Sequence, residues 1–552
     1  MVFDIIYAKV NMSKHRKIVV FGAGVGGLTV AHQLSKLPEF DIIVYEQKDV
    51  VGGLARSGRD SEGCATEYCW RVFFGFYDNL LGIMDEIPTP NGTTRSNLTE
   101  YHHKNLSDRE ATLKDKISVW RSAFYGFASC DERMDSLDNL TWWKALDTAS
   151  SSNLYREIGG WLGMDRYKGS YRSVIKVGME MQILSSYLDS TYKDYVTIKP
   201  TSEALFDWWV ADLKKKGVKF AMNTEIDTLK TSGDSVISAT VKSEHGVEKV
   251  EADYYVLCVP VEVLNQILIR SEILNSIGKN IKQLSENCLH IQLSFQLYFS
   301  RPISLGDVNA FLHVDSPWDL IVLAYDKIYQ DIPLCRLNPD VKGGWSVAAT
   351  TAYIPGIVYN KPMLDCSYEE IINELWAQLS SSKSLAKLVK ENNDFELSSE
   401  LIVKWSRIWP SYSDGLSPKG LRHQTRSASP RYGGRLLNTT EPKFTNNAGS
   451  YALRPSFRTP LENLFIATGF IRETLDIFSM EAACIAGIRV ANFISQGELP
   501  APSTRSRPKL FAPIRAIDSV SYKTGVPFWL LVVLIIVICV VILRSKPKIY
   551  GS

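Results

Sequence analysis

Ile18-Val19-Val20-Phe21-Gly22-Ala23-Gly24-Val25-Gly26-Gly27, with Glu46 nineteen residues after Gly27, is the stretch whose reading decides the fold. Ile18, Val19, Val20 and Phe21 form a short apolar run that stops at glycine, which reads as a buried strand entering a turn. Leu28, Val30, Ala31 and Leu34 then recur at helical spacing, and Ile42-Ile43-Val44-Tyr45 is a second strand ending in Glu46. A lone Gly-x-Gly-x-x-Gly is weak, but a strand, glycine turn, helix and strand within about thirty residues is a dinucleotide-binding unit. Gly22 permits the tight turn, Gly24 and Gly26 keep side chains out of the loop that meets a pyrophosphate, and Gly27 lets the helix pack closely. The helix N-terminus adds free N–H groups and a positive dipole end. Glu46 is placed to bind ribose hydroxyls and would repel a 2′-phosphate.

The rest of the chain sets bounds. At 552 residues it exceeds one compact core, so two or three connected domains are expected. Hydrophobic residues make up 45% and charged residues 22%, as in an ordinary globular protein. A formal net charge of +2 gives no global field for nucleic acid, and none is expected as a partner. The nine cysteines lack a Cys-x-x-Cys pair and read as mostly reduced, buried thiols, which favours a cytosolic body. Sequons at Asn11, Asn91, Asn97, Asn105, Asn139 and Asn438 point the other way only if those segments enter a secretory lumen. No signal-peptide pattern is present at the N-terminus. The eight histidines lack ligand spacing, so no metal is expected; His102-His103 reads as a loop.

Further nucleotide-domain strands are expected near Gly217 to Phe220, Thr224 to Leu229, Val236 to Val241 and Ala252 to Val259, and again at Leu464 to Gly469. Between them, Leu289 to Phe299 and Ser346 to Tyr353 read as long strands, Glu369 to Val389 as an amphipathic helix, and Ser479 to Ser495 as a small-residue helix.

Val51-Gly52-Gly53-Leu54-Ala55-Arg56-Ser57 follows the first unit, and with it the chain resembles the flavin amine oxidase and phytoene desaturase superfamily. The resemblance implies FAD rather than NAD. It sets Gly53 and Arg56 against the FAD diphosphate and ribityl chain, where a guanidinium suits a phosphate; a surface arginine is the alternative. Glu67 to Leu80, with Phe73-Phe74-Gly75 and Asn79-Leu80, is similar to plant-type carotenoid desaturases, in which it passes near the isoalloxazine. Those enzymes carry His where this chain has Arg71, a permanent cation. Arg71 is thus a flavin-side candidate, with a structural salt bridge as the other reading, and the catalytic residue is otherwise unknown. Leu464 to Gly469 followed by Met480-Glu481-Ala482-Ala483 resembles the closing FAD motif, which brings in Gly469 and Met480, but the usual acid after the glycine is Phe470. Glu473 or Asp476 is the candidate replacement. The resemblance also sets the Ile226 backbone beside the adenine. No Ser-Gly-Cys segment precedes the closing motif, so non-covalent FAD is expected.

The expected fold class is α/β: a discontinuous Rossmann-like FAD-binding domain (15–90, 215–265, 455–497), an α+β substrate domain (91–214, 266–454), a linker (498–525) and a C-terminal transmembrane helix (526–543). That helix rests on eighteen uncharged residues from Val526 to Leu543, roughly 27 Å of helix and favourable to insert by several kcal/mol. A single-pass, tail-anchored membrane protein with a cytosolic body follows. The expected function is an FAD-dependent oxidoreductase taking a hydride from a lipophilic substrate of isoprenoid or carotenoid type and passing electrons to an acceptor the sequence does not specify. The alternatives are a flavin amine oxidase, a non-redox flavoprotein like UDP-galactopyranose mutase, and a scaffold that has lost the cofactor.

Overall fold

The computed structural model describes residues 15–67, 71–145, 162–165, 167–178, 191–273, 278–290, 292–329, 332–351, 353–406, 431–432, 435–436, 441–505, 507, 509–528 and 530–531. Its centre is a five-stranded parallel sheet assembled from three distant stretches. In chain order the strands are β1 (Arg16–Phe21), β2 (Phe40–Tyr45), β3 (Lys219–Ala221), β4 (Tyr254–Leu257) and β5 (Leu464–Ile466). Their spatial order is β3-β2-β1-β4-β5, with Val20 opposite Val44 on one side and Val256 on the other. Ile18, Val19 and Val20 are wholly buried, as a parallel strand covered on both faces requires.

Helix α1 (Val25–Leu34) follows the glycine turn, and α2 (Met480–Ile494) packs against it. Small residues set the spacing. A side chain on Gly26 would collide with the Ala467 carbonyl, and one on Gly487 would stand 2.8 Å from the Gly26 carbonyl oxygen. Glu225–Ser232, Ser235–Ser243 and Gly246–Val250 make a separate antiparallel sheet beside the parallel one.

A six-stranded sheet forms the second body, in the order Ile402–Trp405, Leu293–Phe299, Gly343–Ala349, Leu320–Ala324, Ala310–His313 and His103–Leu106. All of its pairings are antiparallel except the last. His103 therefore lies in an edge strand and not in a loop. The stretch expected as one strand from Leu289 divides: Leu289–His290 pairs with Lys443–Phe444, and Leu293–Phe299 enters the large sheet. The single helix expected over Glu369 to Val389 is two, Tyr368–Ser380 and Lys383–Asn392. The serine run explains the break, because the Ser382 hydroxyl accepts the Leu385 N–H at 3.1 Å and starts a new helix.

One expectation needs correction. Among the described residues no helix is long and apolar enough to cross a membrane, which overturns the C-terminal transmembrane helix and the tail-anchored placement drawn from it. Of the expected span, 529 and 532–543 lie outside the described residues. The stretch expected as a spacer instead carries the helix Ala512–Thr524, tied down where Asp518 accepts from Arg133 Nε at 2.9 Å and from the Cys130 N–H at 2.8 Å. Of the described cysteines, Cys130, Cys258, Cys288, Cys366 and Cys484 are free thiols, as expected of most of them, and Cys64 and Cys335 form a disulfide.

Candidate functional site

At the carboxyl ends of the parallel strands lies a cavity of about 760 Å³, toward the upper end of the ~300–1,000 Å³ usual for small-molecule sites. Gly22, Gly24, Gly26, Glu46, Gly53, Arg56, Arg71, Ile226, Gly469 and Met480 all line it. Gly27 does not. It sits beneath the turn, where any side chain would strike the Gly22 carbonyl.

Backbone geometry explains the glycines. Gly22 has φ +107°, a left-handed value that favours glycine, and a Cβ there would lie 2.5 Å from the Cys258 carbonyl oxygen. Gly52 donates its N–H to the Ala23 carbonyl at 2.8 Å, which brings the second glycine motif onto the first. The result is a cradle free of side chains on both sides.

Glu46 accepts the Ala23 N–H at 2.7 Å and the Lys48 N–H at 3.0 Å, so its carboxylate pins the first turn to the end of β2. Burial pushes its pKa up, and these two amides partly offset that. Arg56 donates to the Gly53 carbonyl at 2.8 Å and to both oxygens of Glu441 at 2.8 Å. Lys48 also pairs with Glu441, and burial together with the Arg56 charge lowers the Lys48 pKa to about 8. A carboxylate thus stands between two cations beside the glycine cradle, and the same pair of cations suits a phosphate.

Arg71 donates from Nη2 to the Leu54 carbonyl at 3.1 Å, and its Nε is buried without a partner among the described residues. Its charge acts on the buried Glu67, whose pKa burial raises to about 7 against the pull of Arg71. Phe470 is 1% exposed and packs on Phe444, ring centres 5.7 Å apart; Phe444 meets Phe478 at the same distance. Neither candidate replacement acid reaches the cavity. Glu473 pairs with Arg489 at 2.8 Å, and Asp476 is wholly buried among Arg172, Arg454, Ser173 and Asn446. Thr468 supplies a different polar group: the residue lines the cavity, and its hydroxyl is buried without a partner among the described residues.

These features fit FAD. The side-chain-free cradle, the Lys48 and Arg56 cations, the N-terminus of α2 and the orphaned Thr468 hydroxyl are groups that a dinucleotide's phosphates and hydroxyls would satisfy. Sequence reasoning missed Lys48, Thr468, Glu441, Gln292 and Lys443. Thr468 stands inside the closing motif and could have been found there, whereas no local pattern marks the other four.

The sequence model of the family described as flavin containing amine oxidoreductase matches residues 25–495. A probable zeta-carotene desaturase of Synechococcus elongatus is 20% identical over 87% of this chain and 99% of its own length. A 15-cis-phytoene desaturase of the same organism is 35% identical, but the match spans only 13% of this chain and 15% of that protein. Among solved structures, a putrescine oxidase bound to putrescine superposes with a TM-score of 0.59 at 14% identity, covering 87% of this chain and 99% of that one. A putative protoporphyrinogen oxidase from an Exiguobacterium species gives 0.52 at 13% identity, with 88% and 99% covered. At such identities these two likenesses establish the fold. The chain belongs to the flavin-containing amine oxidoreductase family: it is an oxidoreductase, and its cofactor is FAD.

Proposed function

From that family membership, we propose that this chain oxidises a lipophilic substrate in the aromatic part of the cavity, with FAD held non-covalently along the glycine cradle. The carrying observation is that Phe74, Tyr77, Leu162, Phe444, Phe470 and Phe478 share one cavity with both glycine motifs and the N-terminus of α2. We assign the diphosphate to Gly22, Gly24, Gly26, Gly53, Arg56 and the backbone around Gly469 and Met480. The adenosine falls to Glu46 and Ile226.

When bound, FAD supplies a two-electron acceptor. Loss of one hydrogen as hydride to the flavin and one as a proton to water would leave a double bond in the substrate, and an oxygen- or quinone-type acceptor would take up the two electrons and two protons. The protein's part is positional. Phe444, Phe470 and Phe478 exclude water and hold apolar substrate, while the Tyr77 hydroxyl, bonded to Ser479, keeps the wall of the cavity rigid. Arg71 and the N-terminal amides of α2 favour negative charge that develops in the cavity.

Three carboxylates of the wall are already engaged and offer little to an alkylammonium ion. Glu46 is held by amides, Asp227 pairs with Lys242 at 2.9 Å and Arg270 at 3.2 Å, and Glu441 is held by Arg56 and Lys48.

Anaerobic titration tests this reading. Yellow protein whose flavin band bleaches with isoprenoid lipid fractions but not with putrescine supports it. Bleaching by amines moves the substrate to the amine class, and protein that cannot be loaded with FAD refutes the cofactor placement.

A further inference from the structure

Glu67 ends the hairpin strand Ala65–Glu67 and is 3% exposed. Its Oε1 is well supplied, accepting the Thr201 N–H at 2.9 Å, the Thr201 hydroxyl at 3.1 Å and the Tyr329 hydroxyl at 3.3 Å. Its Oε2 is buried without a partner among the described residues, and so is Nε of Arg71. A half-satisfied carboxyl and a half-satisfied guanidinium thus lie out of water, where low dielectric strengthens the coupling between them. Arg71 carries that coupling to the cofactor site. It lines the cavity, and its Nη2 donates at 3.1 Å to the carbonyl of Leu54, next to Gly53 of the glycine cradle.

The other groups packed around Glu67 leave Arg71 as its charged partner. Tyr325 and Tyr329 keep their protons, since burial first and the Glu67 charge second hold both phenols well above their ordinary range. Arg59, on the paired strand, is taken up by Glu203 at 2.5 Å, and Asp326, on the short helix with Tyr325, accepts the Gly344 N–H at 3.3 Å. Burial raises the Glu67 pKa to about 7 and the Arg71 charge opposes it, so the carboxyl changes charge in the neutral range. A hydride delivered to a neutral ring adds one negative charge, which the Arg71 cation favours. An ionised Glu67 cancels part of that field, whereas a protonated one leaves it whole.

We propose that Glu67 is a positioning residue of the redox site: acting through Arg71, it takes up a proton when the cofactor is reduced and releases it on re-oxidation. The hydride brings two electrons and one proton to the ring, and the proton on Glu67 comes from water and returns to it. This rests on the placement of FAD along the glycine cradle with its ring in reach of Arg71.

The test measures the two-electron potential of the FAD-loaded full chain against pH, by anaerobic equilibration with reference dyes. Glu67→Gln should match wild type at about pH 5.5, where Glu67 is protonated, and exceed it at about pH 8.5. The expected gap is about tenfold in the reduction equilibrium, about 30 mV for a two-electron couple. In an Arg71→Met background the gap should close, because without the cation the buried carboxyl stays protonated. A purely structural role would shift the Glu67→Gln curve equally at every pH or weaken FAD binding alone. Either result refutes the proposal, as does a gap that persists without Arg71. Where Arg71→Met does not hold FAD, the gap between wild type and Glu67→Gln decides. Where Glu67→Gln does not fold, Thr201→Val decides: losing a donor to the carboxylate should move the neutral-range step of the curve to higher pH, and an unmoved step refutes the coupling. Protein that takes up no FAD overturns the cofactor placement and the proposal with it, whereas loaded protein with parallel curves overturns the proposal alone.

Discussion

Gly53 faces Gly24 so closely that a Cβ on Gly53 would lie 3.2 Å from the Gly24 Cα. Two glycine motifs separated in sequence thus form the two sides of one groove. Nothing but backbone lies between them, which is the condition for a pyrophosphate to approach.

Gly24→Val should therefore abolish flavin retention with little loss of fold. A Cβ on Gly24 has only ordinary contact, 3.8 Å to Gly53, so the branched methyls project into the groove. Gly27→Ala should behave oppositely, because its methyl would strike the Gly22 carbonyl; overpacking of this kind costs about 1–3 kcal/mol. Absorbance at the flavin band and melting temperature separate the two. A fully yellow Gly24→Val would refute the placement.

Arg56→Ala should weaken FAD by about tenfold to a hundredfold, the range for a lost charge-assisted bond of ~1.5–3 kcal/mol. Glu441→Gln should act in the other direction, since it removes the carboxylate that now satisfies Arg56 and Lys48. Equilibrium FAD binding to apoprotein measures both.

Glu262 lines the same cavity, and burial raises its pKa from 4.5 to about 7. Because the folded value exceeds the unfolded one, its stabilising effect is full below pH 4.5 and is lost as pH rises through 7. Glu262→Gln apoprotein should match wild type near pH 4 and be more stable at pH 8, by roughly 3 kcal/mol. Denaturant melts at the two pH values check the sign; equal stability at pH 8 would contradict it.

Reduction of Cys64–Cys335, or Cys335→Ala, should cost about 2–4 kcal/mol. The bridge spans 271 residues of sequence and joins the end of the Ser57–Arg59/Ala65–Glu67 hairpin to the loop that packs on it. Melting with and without dithiothreitol measures it, and unchanged melting would show that the bond does not form in solution.

What the sequence determined by itself was local. β-branched runs, glycines at fixed offsets and a terminal acid specify a strand, a turn and a helix end through backbone sterics that act within a few residues. Gly22, Gly24, Gly26, Glu46 and Gly469 were therefore legible, and they line one cavity. Tertiary structure alone decided that Gly53 meets Gly24, that Lys48 and Arg56 share Glu441, that Cys64 meets Cys335, and that Phe470 joins Phe444 while Asp476 turns into a buried ion cluster. The same limit explains the C-terminal error, since an apolar run gives hydropathy and length but not whether a spanning helix forms. Gln292 and Lys443 show the reason most plainly. Strand pairing across 151 residues brings them together, and no periodicity in either segment encodes the other.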